Sequence, residues 1–281
     1  MIRGISAKNI TESVSNLCIL ANCDIAGDVE KCLKGVLKEE SSSLAKDVMS
    51  QILKNIDIAR KKRIPVCQDT GVALVFVELG QDARIRGGNL CEAINEGVRQ
   101  GYEKGFLRKS IVRDPFSREN TRDNTPAVIH TDVVKGNKVK ITVMPKGAGT
   151  ENMSSLAMLL PSAGREEVKK FVVEKIKEAG ANPCPPLLVG IGIGGTFDSV
   201  AVLAKKALLR PLSSSNASRF YAGMEKELLK EINHLRIGPQ GFGGKFTALA
   251  VHINAAPCHI ATLPVAVDIN CHAIRHRSAV L

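Results

Sequence analysis

The stretch Ala181-Asn182-Pro183-Cys184-Pro185-Pro186 constrains this chain more than any other. Proline fixes its own φ, lacks a backbone donor and pushes the preceding residue into extended conformations, so the segment is not helical. Cys184 is held on a stiff backbone, which suits a ligand whose position must not drift. A buried structural cysteine is the competing reading, but it does not need three prolines. The apolar run Leu187-Leu188-Val189 then reads as a buried strand, and Asp198 to Leu209 as a helix. Between them, glycines at 190, 192 and 195 match G-x-G-x-x-G. Two observations reject a dinucleotide fold. An acidic residue should hold the ribose about 20 positions on, yet the chain there reads Leu212-Ser213-Ser214-Ser215-Asn216-Ala217-Ser218. No βαβ pattern precedes the unit. The glycines instead allow close approach of backbone to a cofactor or anion, or of helix to strand. Gly238-Pro239-Gln240-Gly241-Phe242-Gly243-Gly244-Lys245-Phe246 is no phosphate loop either, because its spacing fails and Phe246 stands where Ser or Thr would bind magnesium.

A second stretch gathers reactive groups. Ile64-Pro65-Val66-Cys67-Gln68-Asp69-Thr70-Gly71 follows the basic run Arg60-Lys61-Lys62-Arg63 and precedes the strand-like Val72 to Val77. A thiol, an amide, a carboxylate and a hydroxyl side by side serve no packing need. Upstream, residues 8–60 read as helical, with Ser41-Ser42-Ser43 as a break and Pro65 as the stop. Asn89 caps a helix through Leu90, Ile94, Val98 and Tyr102. Val128 to Val134 and Lys138 to Met144 alternate like the strands of a hairpin joined at Lys135-Gly136-Asn137. The second strand runs into Pro145-Lys146-Gly147-Ala148-Gly149-Thr150, whose backbone N–H groups can face an anion, and a helix starting near Ser154 would add its dipole. The plainer reading is a turn before a helix. Glu166 to Ala179 and Tyr221 to Ile232 are further helices, and Ala248 to Ile253 and Val265 to Val267 are strand-like.

Composition narrows the class of function. Aromatics make up 4% of the chain and tryptophan is missing, which argues against a stacking surface for nucleic acid. The net charge of +11 fits an anionic substrate or an acidic partner, but the basic residues are dispersed, as on the solvated surfaces of heat-adapted proteins. No apolar run reaches membrane-spanning length and Met1 to Ser15 has no signal-peptide core, so a cytoplasmic location is expected. Eight cysteines without a C-x-x-C pair then read as free thiols or metal ligands. Cys18, Cys23, Cys32 and Cys91 fall on helical patterns and read as small buried apolar residues.

The motifs Val66-Cys67-Gln68-Asp69-Thr70-Gly71, Gly105-Phe106-Leu107-Arg108-Lys109-Ser110, Pro145 to Gly149, Asn182 to Pro186, Gly192-Ile193-Gly194-Gly195-Thr196 and Asn270-Cys271-His272 follow one another over most of the chain. Together they resemble the alpha subunit of the two-subunit, iron–sulfur class I fumarate hydratases and the closely similar L-tartrate dehydratases. One departure is Ala148, where many relatives carry glycine. The resemblance implies that Cys67, Cys184 and Cys271 hold a [4Fe–4S] cluster, a choice among eight cysteines that composition could not make. It implies substrate contacts from Gln68, Asp69, Arg108 and the loop glycines Gly147 and Gly149, and makes Asp69 and His259 the proton-transfer candidates. Turn capping is the plain alternative for Asp69, and a core imidazole for His259. Cys258 carries no assigned role and reads as packing, while His272 and His276 read as surface groups.

The fold class implied is α/β (α+β), with a helix-rich part over 1–110 and a mixed part with a small sheet over 111–281. The reaction implied is reversible hydration of fumarate to (S)-malate, a step of the tricarboxylic acid cycle. L-tartrate dehydratase and mesaconate hydratase are the alternatives within the class, and a non-catalytic iron–sulfur or nucleotide-binding module is the alternative outside it. Single-chain members carry a further C-terminal domain, whereas this chain ends at Leu281, ten residues beyond Cys271. The resemblance therefore implies a separate, smaller beta subunit, a dimer of alpha–beta pairs, and neither nucleic acid nor membrane as partner.

Overall fold

A computed structural model describes residues 2–281. In chain order the elements are β1 (Arg3–Ser6), α1 (Ala7–Cys23), α2 (Gly27–Glu39), α3 (Ser43–Lys62), β2 (Val72–Gly80), β3 (Ala83–Arg86), α4 (Leu90–Lys104), β4 (Val128–Val134), β5 (Val139–Lys146), the single turn α5 (Ala148–Glu151), β6 (Ser155–Leu159), α6 (Gly164–Ala179), β7 (Leu187–Gly195), α7 (Phe197–Ala207), α8 (Arg219–His234), β8 (Ala248–Cys258), β9 (Leu263–Asn270) and β10 (Arg277–Val280). The architecture is mixed α/β, as expected. Contacts divide the chain into two compact units, one of Met1–Ala26, Asn55–Ala148 and Arg275–Leu281, the other of Gly27–Lys54 and Gly149–Ile274.

The first unit is built on a four-stranded sheet in the order β10-β5-β2-β4. Alternate residues Ala73, Val75 and Val77 of β2 and Val139, Ile141 and Val143 of β5 form one apolar face. The stripe Ile10, Val14, Leu17 of α1 and Ile94, Val98, Tyr102 of α4 covers it. The caps follow the sequence reading, with Asn89 Oδ1 accepting the backbone N–H groups of Cys91 and Glu92. The expected hairpin does not form. β4 and β5 both pair with β2, which lies between them, β4 in parallel and β5 antiparallel. The reason lies in burial: Ala73 to Val77 are buried without a break, so β2 takes the centre, while β4 is solvent-exposed along most of its length and takes an edge. The helix expected near Ser154 is absent too, since the lone turn of α5 gives way to β6.

The second unit centres on the sheet β6-β9-β7-β8, in which β7 runs parallel to β8 and antiparallel to β9. α6 and α8 bury Val168, Val172, Ile176, Met224, Leu228 and Ile232 against one face. α7 packs on the other through Val200 and Ala204. Here the glycine run finds its reason. A Cβ on Gly192 would stand 2.1 Å from the Val200 carbonyl oxygen, and one on Gly190 2.4 Å from that of Ala204. Those glycines let α7 lie directly on β7, the helix-to-strand option raised by the sequence.

Candidate active site

In the first unit, one end of the sheet holds the motif that precedes β2. Val72 pairs with Lys146, so Asp69–Gly71 and Gly147–Ala148 meet there. The backbone carbonyls of Asp69, Thr70 and Gly71 are each taken by a side chain. Arg275 Nη1 donates to the Asp69 carbonyl at 2.8 Å and to Asn22 Oδ1 at 3.0 Å. The Tyr102 hydroxyl lies 2.8 Å from the Thr70 carbonyl and 3.0 Å from that of Gly71. Asn124 Nδ2 donates to the Gly71 carbonyl at 3.2 Å. Tyr102, Asn124, Asn22 and Arg275 are all buried, so these bonds form away from competing water and fix the turn firmly. Burial also raises the Tyr102 hydroxyl well above its ordinary pKa, so it stays a donor at any physiological pH.

The side chains of the motif then have defined tasks. Asp69 Oδ1 accepts the Gly71 N–H at 3.0 Å and Oδ2 accepts that of Ala148 at 2.7 Å. Turn capping and loop anchoring are thus combined in one half-buried carboxylate. A Cβ on Gly147 would stand 3.0 Å from Asp69 Oδ2 and 3.5 Å from Arg275 Nη2, so glycine keeps that approach open. Thr70 Oγ1 donates to the Arg108 carbonyl at 3.0 Å, tying the exposed Arg108 to the same sheet end. Gln68 is exposed, and its Oε1 accepts from the half-buried Cys67 thiol at 3.4 Å. Of the residues expected at the site, Cys67, Gln68, Asp69, Arg108 and Gly147 therefore gather in this unit.

Gly149, Cys184, His259 and Cys271 belong to the second unit. Leu188 pairs with Asn270, which brings Cys184, before β7, and Cys271, after β9, to one end of that sheet. Cys184 is exposed between buried prolines and adopts φ 55°, in the left-handed region and not on the extended backbone expected before a proline, with the following Pro185–Pro186 bond cis. Its carbonyl accepts the His272 N–H at 3.3 Å and lies 3.1 Å from His272 Nδ1. His272 is therefore a bridge between the two cysteine segments and not the surface group expected. His259 lies elsewhere. It follows β8, whose last residue pairs with Gly195, so it occupies the opposite end of the sheet. The nine residues of β7 separate it from Cys184 by roughly 25 Å at about 3.3 Å per residue. Its ring is exposed, and Nδ1 accepts the Ala261 N–H at 3.1 Å. Gly149 is exposed at the turn α5.

The thiols sort by environment. Burial pushes Cys18 up to about 12 and raises Cys23 and Cys32 as well, which removes the thiolate form that binds metal. Cys67, Cys184 and Cys271 are accessible or half-buried, so their donor chemistry fits thiolate ligation of a cluster. Two expectations fail on burial. Cys91 sits on the outward face of the first turn of α4 and Cys258 in an exposed strand end, so both are exposed and neither packs in a core. Among the described residues, no group of three or more His, Cys, Asp or Glu side chains forms a site for a metal ion. No helix among them is long and apolar enough to cross a membrane.

Sequence reasoning missed Arg275, Asn22 and Asn124, and assigned Tyr102 only to an apolar helix face. Comparison with known proteins supplies the wider context. A protein of Methanocaldococcus jannaschii, provisionally named L(+)-tartrate dehydratase subunit alpha, is 45% identical over 256 residues, covering 88% of this chain and 89% of that protein. The L(+)-tartrate dehydratase alpha subunits of Escherichia coli strains UTI89 and K12 are 35% and 34% identical over 274 residues, 96% of this chain and 90% of theirs. The family model described as fumarate hydratase (fumerase) matches residues 11–280. With nearly its whole length matched, the chain belongs to the fumarate hydratase (fumerase) family of hydro-lyases.

Proposed function

We propose that this chain is the alpha subunit of an iron–sulfur hydro-lyase that interconverts fumarate and (S)-malate. The observation that carries the reading is the immobilised turn Asp69–Gly71, which sets a carboxylate, the Arg108 segment and Gly147 at one end of a sheet. Cys67, Cys184 and Cys271 would hold a [4Fe–4S] cluster. Held by three thiolates, such a cluster would keep one iron free to supply Lewis-acid chemistry toward a substrate hydroxyl.

The chain's own residues supply the remaining functions. Arg108 can grip a substrate carboxylate through paired N–H groups. Gly147, lacking a Cβ, lets a carboxylate approach the backbone beside Asp69. Both Asp69 oxygens already accept a backbone N–H, and each keeps a second acceptor direction for a substrate hydroxyl or proton. Asp69 is thus held in place to accept or return a proton without reorganising. His259 is the second proton-transfer candidate, exposed at the opposite end of its sheet from Cys184. A smaller beta subunit, by analogy with relatives named alpha subunits, would complete the site. We expect a cytoplasmic dimer of such pairs.

L-tartrate is the second reading, favoured by the names of the relatives. One hydroxyl separates it from malate. Anaerobic reconstitution of the cluster followed by kcat/KM measurements on fumarate, (S)-malate, L-tartrate and mesaconate, with and without the beta subunit, tests both. A preference for fumarate by the complete complex supports the first reading, and a preference for L-tartrate replaces it with the second. Full turnover by the isolated chain would sink the split site, and no turnover of any of the four would sink the assignment.

A further inference from the structure

We infer that Gln240 is a positioning residue for Cys184 and Cys271, and that the glycine-rich stretch 238–244 exists to present it. The inference rests on the reading that both cysteines ligate the cluster. Within the second unit, β8 runs parallel to β7 and its register starts at Leu187–Ala248, so the loop before β8 lies at the sheet end that carries both cysteines. Gln240 is the residue of that loop that reaches them. Its backbone N–H donates to the Pro185 carbonyl at 2.9 Å, and its side-chain Nε2 donates to the same oxygen at 3.0 Å. Nε2 also lies 3.1 Å from His272 Nδ1. One side chain therefore touches the residue after Cys184 and the residue after Cys271.

The loop is built to hold this pose. Gln240 adopts φ 51°, a left-handed conformation uncommon outside glycine, asparagine and aspartate. Such a conformation persists only where the surroundings over-determine it. They do so here. Gly243 N–H bonds to the Ile237 carbonyl at 2.8 Å, closing the loop on itself, and a Cβ on Gly238 would overlap the Gly243 carbonyl oxygen at 1.9 Å. The far end is fixed by Glu40, a carboxylate only 2% exposed. It accepts the N–H groups of Lys245 at 2.7 Å, Ser41 at 2.7 Å and Ser42 at 3.2 Å. No nucleotide is needed to explain Gly238, which the closure that projects Gln240 requires.

Hydrogen bonds behind metal ligands orient those ligands, and their loss typically weakens metal binding about 10–100-fold. Two variants isolate the side chain. Gln240→Gly keeps the backbone bond to Pro185 and adopts the positive φ at no steric cost. Gln240→Glu keeps the shape but turns the donor into an acceptor facing the Pro185 carbonyl. In the full chain, reconstituted anaerobically, both should release iron to a chelator at least tenfold faster than wild type, at an unchanged apoprotein melting temperature. In the apoprotein, Cys184 should be alkylated faster by iodoacetamide. Wild-type rates in both assays overturn the inference. Undiminished iron in Cys184→Ser and Cys271→Ser would instead overturn the cluster reading, and the inference with it.

Discussion

Arg275 Nη1 donates to the backbone carbonyl of Asp69 at 2.8 Å from a side chain only 5% exposed. A residue near the C-terminal end of the chain thus fixes the backbone of the proposed acid–base group. The same guanidinium nitrogen satisfies the fully buried Asn22 Oδ1. Arg275→Met keeps the volume but takes the Arg275 donor from the buried Asn22 Oδ1 and the part-buried Asp69 carbonyl, at about 1–3 kcal/mol each. Denaturant unfolding should show a loss of roughly 2–4 kcal/mol, and kcat of the reconstituted complex should fall with it. A wild-type unfolding midpoint would mean the bonds carry no net stability.

Asp69 tests the chemistry more directly. In Asp69→Asn one oxygen becomes an NH2 group, which meets a backbone N–H of Gly71 or Ala148 donor to donor. The anchored loop loosens and the proton acceptor is lost together. Turnover should fall by about 10²–10⁴, while the visible absorbance of the proposed cluster stays, because Cys67, Cys184 and Cys271 keep their thiols. Turnover at wild-type level would remove Asp69 from the mechanism.

Much of this was legible in the sequence, and the gaps have physical causes. The apolar stripes of α1 and α4 follow from periodicity alone, and the cap of α4 from Asn89. β4 and β5 each alternate as strands should, but pairing partners are a tertiary choice, and the uninterrupted burial of β2 decided it. The turn Asp69–Gly71 announced itself by its reactive groups. Its supports did not: Tyr102 reads as an apolar stripe residue until its hydroxyl is placed, and Arg275, Asn22 and Asn124 belong to no pattern because they act across long sequence separations. Cys91 and Cys258 were misjudged because burial of a lone cysteine leaves no signature in its neighbours.

The glycine run offers a clean packing experiment. Gly192→Ala places a methyl 2.1 Å from the Val200 carbonyl oxygen, so α7 must shift off β7. Overpacking of this kind costs about 1–3 kcal/mol. Gly35 is the control: it lies inside α2 and a Cβ there meets nothing within 4 Å. Gly35→Ala should therefore stabilise by about 0.5–1 kcal/mol through helix propensity. Calorimetric melting of the two variants should move in opposite directions, and equal shifts would contradict the close helix–strand contact.

His252 gives the fold a dependence on pH close to neutrality. It is 1% exposed on β8, and its Nδ1 lies 3.2 Å from the Ala207 carbonyl, so the neutral ring carries its proton there. Burial lowers its pKa below the ordinary 6.5, the Arg210 cation lowers it further, and Glu225 partly opposes both. Above pH 6.5 the imidazole is neutral in the folded and unfolded chains alike, so its stabilising contribution is complete. Below that value the unfolded chain takes up a proton that the folded chain refuses, and stability falls by up to about 1.4 kcal/mol per pH unit until the folded pKa is reached. Carboxylates held low in the fold, such as Glu225, lose their contribution only below their ordinary 4.5, so the loss that sets in below 6.5 begins with the histidine. Urea unfolding between about pH 7.5 and pH 5 should show this slope in the wild type and a flatter one in His252→Gln. A slope unchanged by the substitution would assign the proton uptake to another group.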